Sequence, residues 1–332
     1  MSSQTKIEWA DATWNPVTGC SKVSEGCRNC YALRFAERFR GIHAHYFEKG
    51  FDVTLRPNML ELPLSWKKPK KVFVNSMSDL FHPDVPFEFI DKVFAVMALA
   101  PKHTFQILTK RPDRMLEYFC NHLPNSTMDI ARYLGDVAWK VTNDENADIF
   151  VCNRIGAGAT KNPGWPLKNV WLGVSIENQK AADERIPKLL QTTAAVRFLS
   201  MEPLLGPVNL KLYESVVYRT TGWQPPLSEY TRIGECIHWV IVGGESGPGA
   251  RPMHPNWVRG IRDQCQAAAI PFFFKQWGEW QQVQRTMADD QILRHKHKHS
   301  FDSDTMVVKV GKRKAGRLLD GREWNEYPSM ED

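Results

Sequence analysis

The 332-residue sequence predicts a parallel α/β fold, a complete or partial (β/α) barrel with a polar C-terminal extension. Three observations carry this. Short apolar runs recur along the chain, and most are followed by a segment of helical periodicity, the alternation expected of parallel strands joined by crossover helices. Each run ends in a polar or glycine-rich group, and the C-terminal ends of strands are where barrels carry their sites. No Gly-x-Gly-x-x-Gly follows the first strand, where an open dinucleotide-binding sheet would carry it.

The elements follow in order. A first strand ends in Trp14-Asn15-Pro16-Val17-Thr18-Gly19, and residues 31–39 are good helix formers. Residues 71–75 form an apolar run that turns polar at Ser76-Met77-Ser78-Asp79. Residues 86–99 then read as a helix, with Phe87, Ile90, Val93, Phe94 and Met97 near helical spacing. The unit recurs at 103–108, ending in Thr109-Lys110-Arg111-Pro112, with a helix at 115–123. It recurs at 169–174, ending in Ser175-Ile176-Glu177-Asn178, with a helix at 181–190. Residues 196–199 end in Ser200-Met201-Glu202-Pro203 and residues 238–242 in Gly243-Gly244-Glu245-Ser246. A helix at 257–269 and a run at 271–274, ending in Lys275-Gln276-Trp277-Gly278, complete seven strands.

Two segments depart from the repeat. Residues 121–166 read as an insertion over the site, with a mobile loop at 156–164. Residues 285–332 read as a basic extension following a barrel of residues 1–284. The extension holds the histidine-rich run 294–299 and a strand entering a basic turn at 307–314. Such a run is either a solvated surface or an edge that contacts phosphates.

Composition narrows the class. The hydrophobic fraction is 42%, enough for a sizeable core. No apolar run approaches the roughly 20 residues a bilayer requires, and residues 1–9 lack a signal-peptide core, so a soluble cytoplasmic protein is expected. The net charge of +6 and the isoelectric point near 8.9 permit an anionic substrate or partner. Most of the twelve Trp are expected to pack the core.

Seven cysteines do not read as a secreted disulfide framework. Cys120, Cys152, Cys236 and Cys265 are scattered and read as small core or surface residues. Cys20, Cys27 and Cys30 are clustered at C-x6-C-x2-C, in a loop between the first strand and the first helix. They point to metal chemistry. One reading is structural zinc, with His43 as a fourth ligand. The other is an iron–sulfur cluster; four-iron clusters normally take four thiolates, so three leave one iron open.

A three-cysteine loop in this position resembles the radical S-adenosylmethionine (SAM) superfamily. The first gap of six residues differs from the superfamily's commonest spacing, C-x3-C-x2-C. Asn29 stands where an aromatic residue usually precedes the third cysteine, and Tyr31 follows one step beyond it. The stretches from Ile7 to Cys20, Val74 to His82, Phe105 to Pro112, Leu199 to Leu205 and Gly243 to Gly247 are similar to an uncharacterised family of bacteriophages and bacteria.

The superfamily resemblance implies a 4Fe-4S cluster held by Cys20, Cys27 and Cys30, with SAM on the open iron. It implies that Ser76, Ser78 and Asp79 meet the SAM amino group, and that Ser175, Glu177 and Asn178 meet the ribose. Lys110 and Arg111 would pair with the SAM carboxylate or a substrate phosphate. Gly243 and Gly244 would let backbone approach the adenine or substrate. Ser200 would face the cofactor and substrate, and Glu202 and Glu245 are the catalytic candidates. The implied reaction is reductive cleavage of SAM and abstraction of a substrate hydrogen, with a reductant such as flavodoxin or ferredoxin. The basic stretches favour a DNA, RNA or nucleotide substrate. Modification of a partner protein, or a non-catalytic zinc or iron–sulfur module, are the competing expectations.

Overall fold

The structure, a computed structural model, describes residues 5, 7–156, 164–214, 232–283 and 297–329. Seven strands form one sheet: β1 (Ala12–Trp14), β4 (Lys71–Val74), β5 (Thr104–Thr109), β6 (Val170–Ser175), β7 (Val196–Met201), β8 (Trp239–Gly243) and β9 (Phe272–Gln276). Two short strands, β2 (Val17–Thr18) and β3 (Thr54–Leu55), pair separately. All the neighbours in the large sheet are parallel, and their spatial order is their order in sequence. A doubly wound sheet reverses its strand order at a switch point. This one never reverses, so right-handed crossovers lay every helix on the same face. The sheet is therefore a half-barrel, the partial barrel expected from the sequence.

The two faces hold different cores. On the outer face, Val72, Val74, Ile107, Leu172, Val174, Val240 and Phe274 pack against α2 (Phe87–Leu99), α6 (Gln179–Gln191) and α8 (Pro255–Ala267). Among the described residues no helix covers the concave face. Trp9, Trp171, Phe198, Trp239, Ile241 and Phe273 fill it instead, with Phe73, Leu108 and Tyr327 at the margin. Trp239 is the hub, with the rings of Tyr327, Phe198, Trp171 and Phe273 at 5.1, 5.8, 5.9 and 6.0 Å. Its indole nitrogen, which needs a partner when buried, donates to the Glu326 carbonyl at 2.8 Å. Gly173 is paired across the sheet with Phe198 and leaves room for its ring.

The expected helix at 115–123 divides. An α-helix, α3, covers Pro112–Glu117, and a wider turn follows at Tyr118–His122. Asp91 of α2 explains the change. Its carboxylate is 1% exposed and accepts from Tyr118 and Tyr133 hydroxyls at 2.9 and 2.7 Å and faces His122 at 2.9 Å. A buried carboxylate requires such partners, and the widened turn brings two of them inward.

The described residues of the expected insertion at 121–166 do not line the site. They form a helix pair, α4 (Thr127–Thr142) and α5 (Glu145–Gly156), packed on α2. Ser126 caps α4 by accepting from the Asp129 amide, and Asn143 ends it in the left-handed conformation. Of the expected mobile loop, residues 157–163 lie outside the described residues.

The C-terminal region is built into the end of the half-barrel. Strands β10 (Trp280–Val283), β11 (Lys298–Ser300) and β12 (Met306–Lys309) form an antiparallel sheet in the order β10-β12-β11. Residues 294–296 of the histidine-rich run lie outside the described residues. After the basic turn Lys312–Ala315 the chain returns along β9, where Asn325 bridges Phe273 and the Phe274 amide donates to the Trp324 carbonyl. This covers an edge that would otherwise expose unpaired backbone groups. Among the described residues no helix is long and apolar enough to cross a membrane.

A Cβ on Gly173 would stand 2.6 Å from three atoms of the Phe198 ring. Gly173→Ala is expected to lower stability by about 1–3 kcal/mol, the usual cost of overpacking. Urea unfolding checks this, and Phe198→Leu in the same chain should recover part of the loss. An unchanged midpoint in the single variant would contradict the packing.

Candidate functional site

The parallel order brings all the strand ends to one rim, and a cavity of about 280 Å³ opens there. Its lining includes Cys20, Cys27, Cys30, Ser76, Ser78, Asp79, Lys110, Arg111, Ser175, Ser200, Glu202, Gly244 and Glu245. Thirteen of the sixteen candidate residues thus meet at one place, from segments that lie far apart in sequence. Glu177, Asn178 and Gly243 stand outside the lining.

The cysteine loop runs from Cys20 to Cys30, with a tight turn at Glu25–Cys27, and leads into α1 (Tyr31–Ala36). Cys20 is anchored by its amide to the Phe51 carbonyl at 3.1 Å. Cys20 and Cys30 pack against an apolar group formed by Ala32, Ala36, Phe47 and Phe51. The three thiols are half-buried and free. Among the described residues no three His, Cys, Asp or Glu are placed to close on a single metal ion. His43, the fourth zinc ligand considered, has an exposed side chain beside Glu48 and is not in the cavity lining.

Three acid–base pairs, each rooted at a different strand end, grip this loop. At the end of β4, Asp79 accepts from the Thr109 hydroxyl at 2.8 Å, the Lys110 amide at 3.1 Å and Arg111 at 3.0 Å. Arg111 in turn reaches the Cys20 sulfur at 3.4 Å and the Ser21 carbonyl at 2.9 Å. Ser21 also meets His82 at 2.7 Å. At the end of β6, Glu177 is 1% exposed and pairs with Arg185 at 2.8 Å. Gly26 rests directly over it, since a Cβ there would be 3.2 Å from the carboxylate carbon. At the end of β8, Glu245 is clamped by Arg251 at 2.7 and 2.9 Å and accepts from Asn29 at 2.9 Å. Arg251 also reaches Glu25 at 3.2 Å, so Asn29 and Arg251 tie the loop to β8.

The pairs tune each other. Burial alone would raise the Glu177 pKa, but Arg185, Ser24 and Lys110 together outweigh it and hold the carboxyl below its ordinary range. Burial likewise works against the Glu245 carboxylate and is outweighed by hydrogen bonds from Arg251 and Asn29. The thiols differ. Burial, with the Asp79 charge, pushes the Cys20 thiol up to about 11 against the pull of Arg111. For Cys27 burial is overcome by backbone hydrogen bonding at Val23, the Lys110 charge and Ser24, and its pKa is lowered.

The remaining candidates divide by what already occupies them. Among the described residues the Lys110 ammonium makes one hydrogen bond, to the Ser175 hydroxyl at 2.8 Å. Ser76 and Ser78 donate to Asn15 and to the Val17 carbonyl at 3.2 and 2.7 Å. Asn178 caps α6 by accepting from the Ala181 amide at 3.0 Å. Gly244 lies against its own chain, because a Cβ there would be 2.1 Å from the Trp277 carbonyl oxygen. Glu202 accepts from Trp9 and from Ser200 at 3.4 Å and pairs with Lys275 at 3.1 Å. The sequence reading missed Trp9, Asn75, Lys275 and Gln276, all in the lining. Lys275 and Gln276 end the β9 run and Asn75 ends the β4 run, so the strand-end rule already marked them.

Residues 4–328 match the family described as "Protein of unknown function (DUF5131)". The chain belongs to this family. The match extends over both the half-barrel and the C-terminal sheet, so the cysteine loop and its three grips lie within the family's extent. No curated protein and no solved structure matches the chain.

The Glu177–Arg185 pair gives a test of the grip. Glu177 is depressed in the folded state, so its contribution is full above the unfolded value near 4.5 and is lost as pH falls through the folded value. Arg185→Met leaves a buried carboxylate unpaired and should cost about 3–5 kcal/mol at pH 7. Urea unfolding of both proteins should show this difference shrinking as the pH falls. The shrinking starts above 4.5, because without Arg185 burial raises the variant's Glu177 pKa, and continues through the depressed value of the wild type. A difference independent of pH would contradict the assignment.

Proposed function

We propose that the chain is a radical SAM enzyme that uses Cys20, Cys27 and Cys30 to hold a 4Fe-4S cluster with one iron left open. The observation that carries this reading is the donor set. Three cysteines share one cavity wall, and no histidine or fourth cysteine joins them in the lining. A single ion calls for ligands that converge, and the described residues lack such a group. A four-iron cluster takes one thiolate per iron, so its ligands stand apart around a larger body. The apolar packing of Cys20 and Cys30 suits a group kept from water.

The lining also fits a polar guest beside the thiols. The Asn75 side-chain nitrogen is buried without a hydrogen-bond partner, as is the Gln276 side-chain oxygen. When bound, the cluster supplies the electron for SAM cleavage, and SAM supplies the hydrogen-abstracting group. The chain's residues do the positioning. Lys110 keeps donors to spare beyond its bond to Ser175, and it takes the amino acid carboxylate of SAM. Arg111 is occupied by Asp79, Cys20 and Ser21, and it holds the loop. Ser175 is the candidate of the β6 end left for the ribose, since Glu177 and Asn178 are otherwise engaged. The aromatic fill of the concave face excludes water from below. A small reductant such as flavodoxin or ferredoxin supplies electrons.

Anaerobic reconstitution with iron and sulfide is expected to load about four irons per chain. Cys27→Ala should lose most of this iron and should form no 5′-deoxyadenosine with SAM and dithionite. Wild-type protein that takes up only zinc, or a Cys27→Ala variant that still forms 5′-deoxyadenosine, would overturn the reading.

A further inference from the structure

We infer that the far end of the cavity takes an unstacked nucleobase of a single-stranded nucleic acid, read by Glu202 and Lys275, with the strand's phosphates on Lys312, Arg313 and Lys314. The chemistry done on that base rests on the radical SAM reading; the binding does not.

The rim carries a fourth acid–base pair, and it differs from the other three. Asp79–Arg111, Glu177–Arg185 and Glu245–Arg251 all support the cysteine loop. Glu202–Lys275 makes no contact with it. The pair stands at the ends of β7 and β9, with one Glu202 oxygen steadied by Trp9 and Ser200, and the other, which has no hydrogen bond, ion-paired with Lys275, whose one partner among the described residues this is. The ammonium therefore has hydrogens to offer, and the carboxylate beside it has lone pairs to accept. Phe73 packs on Trp9 with ring centroids 4.7 Å apart, and with Leu108 and Ile7 it presents an apolar wall to the same cavity. A donor and an acceptor side by side at the edge of such a wall suit a flat heteroaromatic ring that carries both on one edge. Nucleobases are such rings, and proteins that bind unpaired ones combine aromatic contact with polar contacts to the base edge. Gln276, 6% exposed and also in the lining, adds an acceptor oxygen with no partner of its own.

The charge at the mouth indicates what the base is attached to. The turn Lys312–Ala315 is fixed at the cavity's edge from several directions. Lys312 pairs with Glu8 at 3.1 Å, between the lining residues Ile7 and Trp9. The Trp277 amide donates to Gly316, and the Val310 and Gly311 amides donate to the Glu279 carbonyl. The Glu279 carboxylate accepts from Gly247 at 2.9 Å, next to the lining residue Ser246. Arg313 and Lys314 are exposed and make no ion pair among the described residues. Three cations beside the cavity, two of them without an ion pair among the described residues, match the phosphates that flank a base in a strand. A paired base would first have to leave its stack, so a single strand is favoured over a duplex.

Fluorescence anisotropy with a labelled mixed-sequence single-stranded oligonucleotide tests this, using the full chain before and after iron loading. Wild type should bind with a salt-dependent affinity. The variant Lys312→Ala, Arg313→Ala, Lys314→Ala should lower the slope of log affinity against log salt by about 2, at roughly 0.7 for each phosphate no longer neutralised. Lys275→Met should weaken binding about tenfold, the scale of one base contact, and alter the preference among homopolymers. A duplex or a free nucleoside monophosphate should compete weakly. Absence of binding, an unchanged salt slope in the triple variant, or equal competition by duplex or free nucleotide would overturn the inference. A protein that binds the oligonucleotide but takes up no iron would refute the cluster and leave this site standing.

Discussion

The parallel, unreversed order of the seven strands is the constraint on which the rest depends. Every strand ends at the same rim, so polar groups scattered over some two hundred residues of sequence become neighbours in space. Every crossover lies on one face, so among the described residues no helix covers the other. The chain fills that face with Trp171, Phe198, Trp239 and Phe273 from the strands, and closes it with Trp9 and Tyr327 from the two ends. Aromatic rings suit this task because few of them cover a large area. What stays open to water is the rim above them.

At that rim, charge is handled in pairs. A buried carboxylate without a counter-charge is costly, and a buried pair is a weak source of net stability. The value of the pairs here lies in position. Asp79, Glu177 and Glu245 each come from a strand end, and each ties the cysteine loop to the sheet through a guanidinium or by direct contact. Arginine suits the role because its planar fork bonds a carboxylate and a loop carbonyl together, and it stays charged at any accessible pH. An eleven-residue loop with little regular structure thus acquires three fixed points.

Much of this was legible in the sequence, because strands and strand ends are local signals. A run such as Val170 to Ser175, buried at every position, announces itself by composition alone. The cysteine spacing is likewise local. The grips were not legible, because their partners are far apart: Asn29 meets Glu245 across 216 residues and Asp79 meets Arg111 across 32. Glu245 looked catalytic because a carboxylate at a strand end does, and only its full set of donors from Arg251 and Asn29 gives it a holding role. The turn at Tyr118 to His122 depends on Asp91 of another helix. The return of Trp324 and Tyr327 to β9 was masked by polar neighbours, since two aromatics in such a stretch set no periodicity.

The orphaned atoms sharpen what the cavity is built to receive. Around it the carboxylates have cations, and the exceptions to full pairing in its lining include two neutral amides. Asn75 directly follows β4 and leaves a donor, whereas Gln276 ends β9 and leaves an acceptor. An unpaired neutral group costs about 1–3 kcal/mol, far less than an unpaired charge, so a site can keep such groups in waiting without endangering the fold. In the sheet β4 lies one strand from the β1 edge and β9 forms the opposite edge, so the two atoms stand toward opposite sides of the cavity. A guest that satisfies both must span it, from the β4 side to the β9 side. A small ion lodged among the thiols would leave Gln276 as it is. Two components meeting in the middle, one at the thiols and one beside Glu202 and Lys275, would engage both ends.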